Sequence, residues 1–492
     1  VRGGVTFPGV NGVPRQAFQG QTMLMPRIAF AYALGQRTVI RGGAGAFYDT
    51  LNVTNDTPNQ TGFNRTTTVS TESNSGMIWR TGNPGEGISP LADPFPANRA
   101  DGARFDSSTS GALGLDTQAG RSYSFDGWET RRAHQYRWRL GLHRQIGRNV
   151  LSATYTGSYA RDAGVTVDWN AVPAQYWWNG NSRNSTLASY LGGGVANPFR
   201  LSTNFPTLAT DNPALYADMS GQNFFTNSTV SRAQLLKPFP AMTGLTQSGA
   251  PLGRVRTNGV EMTFSRRFSR GLSANFAYTG TKGRAANWFP NAFDLVPAWR
   301  EHTSSRPHRL TATGMYQFPF GRGKPFFKRG IASKITGRMQ LSGTFEFQAG
   351  QLIDFSNRYY YGDIADIVKD SPTLDEWFNA KGTDCTATPG ENTGWERCSQ
   401  RGPANYQVRI FPSRIGGLRR DHTLQTNANV QKEVPLNRER IKFILRFDML
   451  NVFNRYQFDN PNTDPMNTNF GKVERQTAAV NRFLQFQARI QF

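Results

Sequence analysis

Long segments in which apolar and polar residues alternate are the strongest constraint that this sequence places on its fold. The final segment shows the pattern most clearly: Leu484, Phe486, Ala488, Ile490 and Phe492 alternate with three glutamines and one arginine. A period of two residues predicts a strand with one apolar face and one polar face. Comparable patterns predict strands at about 26–33, 36–48, 132–145, 149–160, 253–267, 272–282, 306–319, 335–353, 422–433, 440–455 and 480–492.

The length of these segments separates a membrane sheet from a soluble one. Strands in globular proteins centre on about five or six residues, whereas a tilted strand needs roughly nine to eleven residues to cross a bilayer. Many of the predicted strands reach that length, and the sequence has no apolar run long enough for a transmembrane helix. The sequence therefore predicts an all-β fold, an antiparallel transmembrane β-barrel, with roughly 11 or more strands in this chain.

The connections between the predicted strands alternate between two classes. Short turns are predicted at 34–35, 146–148, 268–271 and 434–439, with a medium turn at 320–334, and long segments at 49–131, 161–252, 283–305, 354–421 and 456–479. Bacterial outer-membrane barrels place short turns in the periplasm and long loops outside the cell. The final strand then ends in the periplasm, and eleven strands counted back leave residue 1 outside the cell. Since such barrels have an even number of strands, we expect further strands before residue 1. The strand content of 49–131 and 161–252 stays open.

The chain is strongly basic, with 56 Lys and Arg against 34 Asp and Glu and a formal net charge of +22. Such an excess is also typical of nucleic-acid-binding proteins. The arginines, however, are spread singly along the alternating strands, and no compact basic block occurs. We therefore assign them to a polar lumen, to the rims and to the headgroup zones. A soluble nucleic-acid-binding protein is a remote alternative, and no nucleic-acid partner is expected.

No pattern typical of a catalytic site or a metal centre is recognisable. The G-x-S-x-G and H-E-x-x-H motifs are absent, and the five histidines are scattered. We expect neither enzyme activity nor a metal or other cofactor. Several carboxylates lie within 363–376 and could hold calcium, but a solvated loop face is the favoured interpretation.

The two cysteines, Cys385 and Cys398, are separated by twelve residues within one polar segment. A pair isolated in one loop suits a disulfide in an oxidising compartment, and we predict that the two are bonded. Two buried free thiols are the alternative.

Aromatic residues form clusters in the predicted exterior loops. Stacked rings suit a sugar or peptide ligand, but amphipathic rings are also typical of an interfacial girdle at headgroup level. The candidate ligand contacts are Tyr176, Trp177, Trp178 and Trp288. For a further cluster, Tyr359, Tyr360 and Tyr361, the girdle is favoured because it closes a predicted strand.

Several segments match a known family. They are residues 26–32 and 39–49, 272–283 (LSANFAYTGTKG), 306–310, 318–321, 377–379, 447–454 (FDMLNVFN), 460–462 and 469–471, with the strand that ends at Phe492. Together they resemble TonB-dependent outer-membrane transporters of the Oar-like type, which carry a carboxypeptidase-regulatory-like N-terminal domain. The resemblance implies a 22-strand barrel plugged by an N-terminal domain that contacts TonB.

The resemblance also defines what residues 1–492 represent. They would be the C-terminal part of one barrel domain, about half of its strands, with the signal, regulatory-like domain, plug and first strands preceding residue 1. Active import across the bacterial outer membrane would use the long loops to capture a small molecule, an oligosaccharide or a peptide; a passive porin or a surface adhesin is the alternative. The partners would be outer-membrane lipid, TonB through the plug, and the barrel-assembly machinery, which reads terminal strands like Leu484, Phe486, Ala488, Ile490 and Phe492.

Overall fold

A computed structural model describes residues 9, 12–13, 15, 22–48, 113–117, 119–126, 131–180, 183–384, 393–397, 406–437, 441–475 and 481–492. Its strands are β1 (Arg27–Ala33), β2 (Thr38–Tyr48), β3 (Ser122–Asp126), β4 (His134–Ile146), β5 (Asn149–Asp168), β6 (Gly194–Ala196), β7 (Thr229–Ser231), β8 (Gly244–Ser269), β9 (Leu272–Trp288), β10 (Ala298–Glu301), β11 (Arg309–Gln317), β12 (Met339–Gln348), β13 (Leu352–Asp354), β14 (Tyr360–Tyr361), β15 (Gly382–Asp384), β16 (Gly394–Arg397), β17 (Arg414–Arg419), β18 (Thr423–Asn437), β19 (Ile441–Leu450) and β20 (Phe483–Gln491).

The helices are short and lie in the connections. They are α1 (Ser185–Gly192), α2 (Leu201–Asn204), α3 (Leu208–Asp211), α4 (Pro213–Ser220), α5 (Asn223–Thr226), α6 (Arg232–Leu236) and α7 (Gly330–Thr336), with 3-10 turns at Gly114–Asp116, Ala174–Tyr176 and Ile364–Ile367. Among the described residues, no helix combines the length and apolar character needed to cross a membrane.

One large sheet dominates the structure. Its main path is antiparallel and follows chain order, β1-β2-β4-β5-β8-β9-β11-β12-β18-β19-β20. Each of the eleven segments predicted from alternation overlaps one of these strands. β10 adds to β9, and β3 adds in parallel to β8, so the sheet is mostly antiparallel. Within the described ranges β1 and β20 form its two edges, and the sheet is not closed.

The pairing register of the strands places the apolar residues on one face of the sheet. One row across seven neighbouring strands runs through Leu142, Ala153, Met262, Tyr278, Leu310, Phe347 and Leu424. The adjacent row faces the other side and runs through His143, Ser152, Thr263, Ala277, Thr311, Glu346 and Gln425. Large side chains of the apolar face stay exposed, among them Met262 at 50% and Phe486 at 66%. An uncovered apolar face of this width suits lipid and not water.

Two strands are much longer than alternation predicted. β5 has 20 residues and β8 has 26, and their pairing shifts register between Ala160 and Ala163 and again between Val165 and Val167. Beyond the bilayer one face no longer meets lipid, so the alternation that marks a membrane strand disappears from the sequence. The long 161–252 segment therefore contains extensions of the sheet as well as α1–α6.

Two other predicted strands are shorter in the structure. The segment 335–353 contains β12 only from Met339 to Gln348, because α7 occupies Gly330–Thr336 just before it. The segment 440–455 contains β19 only to Leu450, because Asn451 has a φ of 49°, which turns the chain out of the sheet.

Candidate functional site

The connection between β12 and β18 folds around a closed aromatic core. Trp395 is fully buried, and the ring centroids of Phe355, Tyr360 and Phe411 lie 4.6, 5.1 and 5.2 Å from its own. The indole N–H of Trp395 donates to the carbonyl oxygen of Asn379 at 2.8 Å. Aromatic side chains bury large apolar areas and prefer such edge-to-face and offset contacts. The connection is a packed unit with its own core.

The tyrosine cluster of this connection lies inside that unit, so the girdle interpretation is wrong. Tyr359 and Tyr360 are each 6% exposed, and Tyr360 belongs to the aromatic core. The membrane strand β12 ends earlier than predicted, at Gln348. The chain between it and the three tyrosines includes β13, so the tyrosines do not close the strand. They cannot sit at headgroup level on the outside of the wall.

The connection between β5 and β8 is held together by buried amide groups. Asn170 is 1% exposed; its side chain donates to the carbonyl oxygens of Phe239 and Met242 at 3.1 and 2.9 Å and accepts from the Phe239 backbone N–H at 2.8 Å. The Gln234 amide donates to the Met242 carbonyl at 2.6 Å. Fully satisfied buried amides of this kind fix one loop conformation.

The described parts of these two connections, within 169–243 and 349–422, contact each other, and together we call them the roof. Arg183 of the first donates to Glu396 of the second through Nε at 2.8 Å and Nη2 at 3.3 Å. The Glu396 side chain is only 3% exposed. Tyr361 donates to the same carboxylate at 3.4 Å and accepts from the Gln407 amide at 2.7 Å. Burial raises the pKa of Tyr361, and the negative charge of Glu396 raises it further.

The aromatic residues predicted to contact ligand have different positions in the roof. Trp177 packs against Phe293 and Tyr406, with centroid distances of 5.0 and 5.8 Å, and donates its indole N–H inside its own loop. Tyr176 packs against the apolar cluster of α1 and α6. Both therefore contribute to packing within the structure.

The other two tryptophans lie apart from each other, and Trp178 is the exposed one. Trp178 is 38% exposed, and its backbone N–H donates to the Tyr406 carbonyl at 2.8 Å across the two connections. Trp288 lies at the end of β9 with the guanidinium of Arg300 5.1 Å from its ring centroid. The structure does not bring the four predicted aromatic contacts into one site, and their role toward a ligand stays a prediction.

A cavity of about 560 Å³ lies where the roof meets the wall. Wall strands β8 and β9 contribute Asn258, Val260 and Lys282, which share the apolar face with Met262 and Tyr278, so the cavity lies on the outer side of the wall. The chain after β9 contributes Glu301 and Ser305. From β17 the cavity is bordered by Gly416, Gly417 and Arg419. A Cβ at Gly416 would lie 3.5 Å from the Glu301 side chain and one at Gly417 would lie 3.6 Å from Val368, so the glycines allow these side chains to approach β17 closely.

Basic side chains surround the β17 side of this cavity. Arg419 donates to the carbonyl oxygens of Ser305 and Gly350 at 2.9 and 3.1 Å, and Arg414 pairs with Asp354 at 2.7 Å. Burial lowers the pKa of Arg300, and the nearby charge of Arg414 lowers it further. Arg300, Arg414 and Arg419 give this region positive charge, which Asp354 partly offsets.

The cavity lining is polar and suits binding of a polar solute. It presents hydroxyl, amide, ammonium, guanidinium and carboxylate groups, which can hold a polar solute by hydrogen bonds and charge. Within the described residues, no group of three or more His, Cys, Asp or Glu side chains is placed to hold a metal ion. The cavity was not predicted from the sequence because the residues of its wall side and of β17 are more than 100 positions apart. The one local signal was the R-I-G-G-L-R pattern of β17, in which two glycines lie between two arginines.

The segment 447–454, which gave the most specific resemblance, forms the end of β19 and the turn that follows it. Asn451 is 6% exposed; its side-chain oxygen accepts from the Arg455 N–H at 2.9 Å and its amide donates to the Arg455 carbonyl at 3.0 Å. The Asn451 backbone N–H donates to the side chain of Asn427 on β18 at 2.9 Å. The asparagine thus closes the turn by which the chain leaves the wall.

The predicted C-terminal strand is β20, which pairs with β19 along its whole length. Leu484, Phe486, Ala488 and Ile490 stand opposite Met449, Phe447, Leu445 and Phe443 on the apolar face. Phe492 is 98% exposed just beyond the strand. Cys385 and Cys398 lie outside the described residues.

Comparison with protein families identifies this architecture. The family described as outer membrane beta barrel domain matches residues 2–485. The chain belongs to this family. Its location is therefore the bacterial outer membrane, and the exposed apolar face is the surface of a membrane barrel wall. No curated protein matches the chain in sequence.

Solved structures of outer-membrane transporters are similar to this barrel-family chain at low identity. The outer membrane transporter YddB from Escherichia coli is 10% identical, with 93% of this chain and 38% of that chain covered and a TM-score of 0.35. The ferripyoverdine receptor of Pseudomonas aeruginosa is 10% identical, with 94% and 32% covered and a TM-score of 0.35. The FrpB iron transporter from Neisseria meningitidis is 10% identical, with 94% and 38% covered and a TM-score of 0.33. This chain spans about a third of the length of these structures.

Proposed function

We propose that this chain forms wall and extracellular capture loops of a TonB-dependent importer with a barrel of 22 strands, of which it supplies about half. The observation that carries the proposal is the roof: two long connections fold together at one end of the wall and are joined by the Arg183–Glu396 pair. Long loops that close over a binding site suit capture followed by gated passage. The segments that resemble Oar-like transporters, above all 447–454, support the same conclusion.

In this proposal the roof takes part in holding the solute before it passes inward. Its mixed charges and hydroxyl groups suit a polar substrate, and a siderophore, an oligosaccharide and a peptide all meet that description. TonB would act through a plug domain, and the barrel-assembly machinery would recognise β20 with Phe492.

The test uses the complete gene product in a planar bilayer and in a binding assay with the periplasmic domain of TonB. We expect a closed barrel without steady conductance and saturable binding of the TonB domain. A permanently open pore that ignores TonB would support the alternative, a passive porin, and would contradict import. A closed barrel that does not bind TonB would leave a surface adhesin as the remaining function and would also contradict import.

A further inference from the structure

We infer that residues 318–338, the connection between β11 and β12, form a surface that binds the phospholipid leaflet on the periplasmic side of the outer membrane. The inference rests on the barrel orientation of the proposed function. This connection lies at the same end of the sheet as the short turns after β1, β4, β8 and β18. In bacterial barrels that end faces the periplasm.

The 318–338 segment carries exposed apolar side chains that its own fold does not cover. Phe326 and Phe327 are 59% and 52% exposed, and Ile331 and Ile335 of α7 are 76% and 61% exposed. Four such side chains within ten residues would be unfavourable in water. Aromatic and aliphatic side chains of this kind are stable at the boundary between headgroups and acyl chains.

A ladder of aromatic rings connects this segment to the lipid-facing side of the wall. Tyr316 of β11 stands beside Leu341 in the register and therefore belongs to the apolar face. The distances between successive ring centroids are 5.5 Å for Tyr316 and Phe318, 5.6 Å for Phe318 and Phe320, and 5.2 Å for Phe320 and Phe327. The exposed rings continue the membrane surface of the barrel.

A second contact holds α7 on the same side of the wall. Lys432 of β18 stands opposite Leu445 and Met339, which places it on the apolar face. Its ammonium group donates to the carbonyl oxygens of Lys334, Ile335 and Gly337 at 2.7, 2.6 and 3.1 Å. A cation at the end of a helix satisfies carbonyls that otherwise have no partner. Ile331 and Ile335 are thereby fixed where the wall meets the headgroups.

The charge of the segment selects an anionic lipid surface. Residues 318–338 contain six basic side chains and no Asp or Glu; the six are Arg322, Lys324, Lys328, Arg329, Lys334 and Arg338. Basic side chains next to apolar ones attract acidic headgroups such as phosphatidylglycerol. The occupant that fits both features is the anionic phospholipid of the inner leaflet.

The depth of the surface can be measured in the complete gene product reconstituted in vesicles of phosphatidylethanolamine and phosphatidylglycerol. Ile331→Trp adds fluorescence that lipids brominated near the headgroup should quench, after subtraction of the parent signal. Gln36→Trp, in the exposed turn after β1, is the matched control and should not be quenched. If the protein co-floats with the vesicles but Ile331→Trp is not quenched, the inference is wrong, whereas the membrane barrel is still supported. A protein that does not enter the vesicles at all overturns the barrel orientation and the inference together.

The lipid preference is tested by removing charge. After purification in detergent, we compare the amount of bound phosphatidylglycerol, relative to phosphatidylcholine, between the parent protein and a variant with Lys328→Gln and Arg329→Gln. We expect this ratio to be on the order of tenfold lower in the variant. The control removes two exposed cations at the other end of the sheet, Arg254→Gln and Lys381→Gln, and should keep the preference. Equal retention by both variants overturns the electrostatic part of the inference.

Discussion

Arg183 and Glu396 are 213 residues apart in the sequence and form a two-bond ion pair that joins the two connections of the roof. The carboxylate is almost completely buried, and Tyr361 donates to it as well. A buried carboxylate stays charged only while such partners compensate the loss of water. The pair therefore couples the folding of two loops that the sequence keeps far apart.

Removing the arginine should separate the two connections of the roof. Arg183→Met leaves the Glu396 carboxylate buried with less compensation, a change that costs about 3–5 kcal/mol in comparable pairs. We expect faster hydrogen exchange in α1 and β16 while the wall strands keep their protection. Hydrogen exchange by mass spectrometry on the reconstituted protein measures both regions at once.

An exposed pair in the same connection gives the control. Lys369 and Glu376 are 30% and 42% exposed, and such surface pairs contribute about 0–1 kcal/mol. Lys369→Met should leave exchange in the roof nearly unchanged. If Arg183→Met and Lys369→Met behaved alike, the pair between the connections would not hold the roof together.

A second prediction tests which face of the wall meets lipid. Phe486 and Gln487 are neighbours on β20 but stand on opposite faces, opposite Phe447 and Arg446. An arginine on the lipid face costs up to about 2–4 kcal/mol near the bilayer midplane. We expect Phe486→Arg to reduce the free energy of unfolding in phospholipid vesicles by that order, and Gln487→Arg to change it little. Equal effects in urea titrations would contradict the assignment of the faces.

The wall was predictable because lipid imposes a regular pattern on it. Every second residue between Leu484 and Ile490 must be apolar, and the same rule located all eleven strands of the main path. Above the bilayer that constraint ends. The outer parts of β5 and β8 therefore escaped prediction, and strand ends such as that of β12 were misplaced.

The roof was not predictable in the same way because its contacts are distant in sequence. The cavity combines Lys282, Glu301 and Arg419, and no local period connects them. Local signals for some helices were nevertheless present. Asn184 and Asn212 cap α1 and α4 by accepting backbone N–H bonds at 2.8 and 3.1 Å, and Asn before a turn of helix is a recognisable start signal.

A third prediction concerns the turn that follows β19. Asn451 has a φ of 49°, in the left-handed region, and two side-chain hydrogen bonds to Arg455. Asn451→Ala loses the bonds and keeps an unfavourable backbone, so we expect a loss of about 1–3 kcal/mol in the free energy of unfolding. Asn451→Gly loses the same bonds but tolerates the backbone, and its loss should be smaller. Urea titrations of both variants compare the two contributions, and an equal loss would exclude backbone strain.

A fourth prediction is a pH dependence in the chain between β10 and β11. Burial lowers the pKa of His302 below its usual 6.5, and the charge of Arg414 lowers it further. The unfolded segment then binds a proton more readily than the folded one, so stability is full above about pH 6.5 and falls as the pH drops below that value. Neutral His302 also accepts the backbone N–H of Ser304 at 3.2 Å. Amide exchange near His302, corrected for intrinsic rates, should become faster on acidification. His302→Gln should abolish this pH dependence. If the variant kept the same pH profile, another titratable group would be responsible.

The last prediction is the disulfide between Cys385 and Cys398. β15 and β16 run parallel, and their pairs Gly382–Trp395, Thr383–Glu396 and Asp384–Arg397 each join residues thirteen positions apart. The two cysteines have the same spacing and directly follow the last pair. Neighbouring strands lie about 4.8 Å apart, within the range of Cα separations that a disulfide spans. Denatured protein should therefore react with a thiol reagent only after reduction, and the closed loop should stabilise the roof by about 3 kcal/mol. Alkylation of both cysteines without prior reduction, read by peptide mass spectrometry, would show free thiols and contradict the pairing.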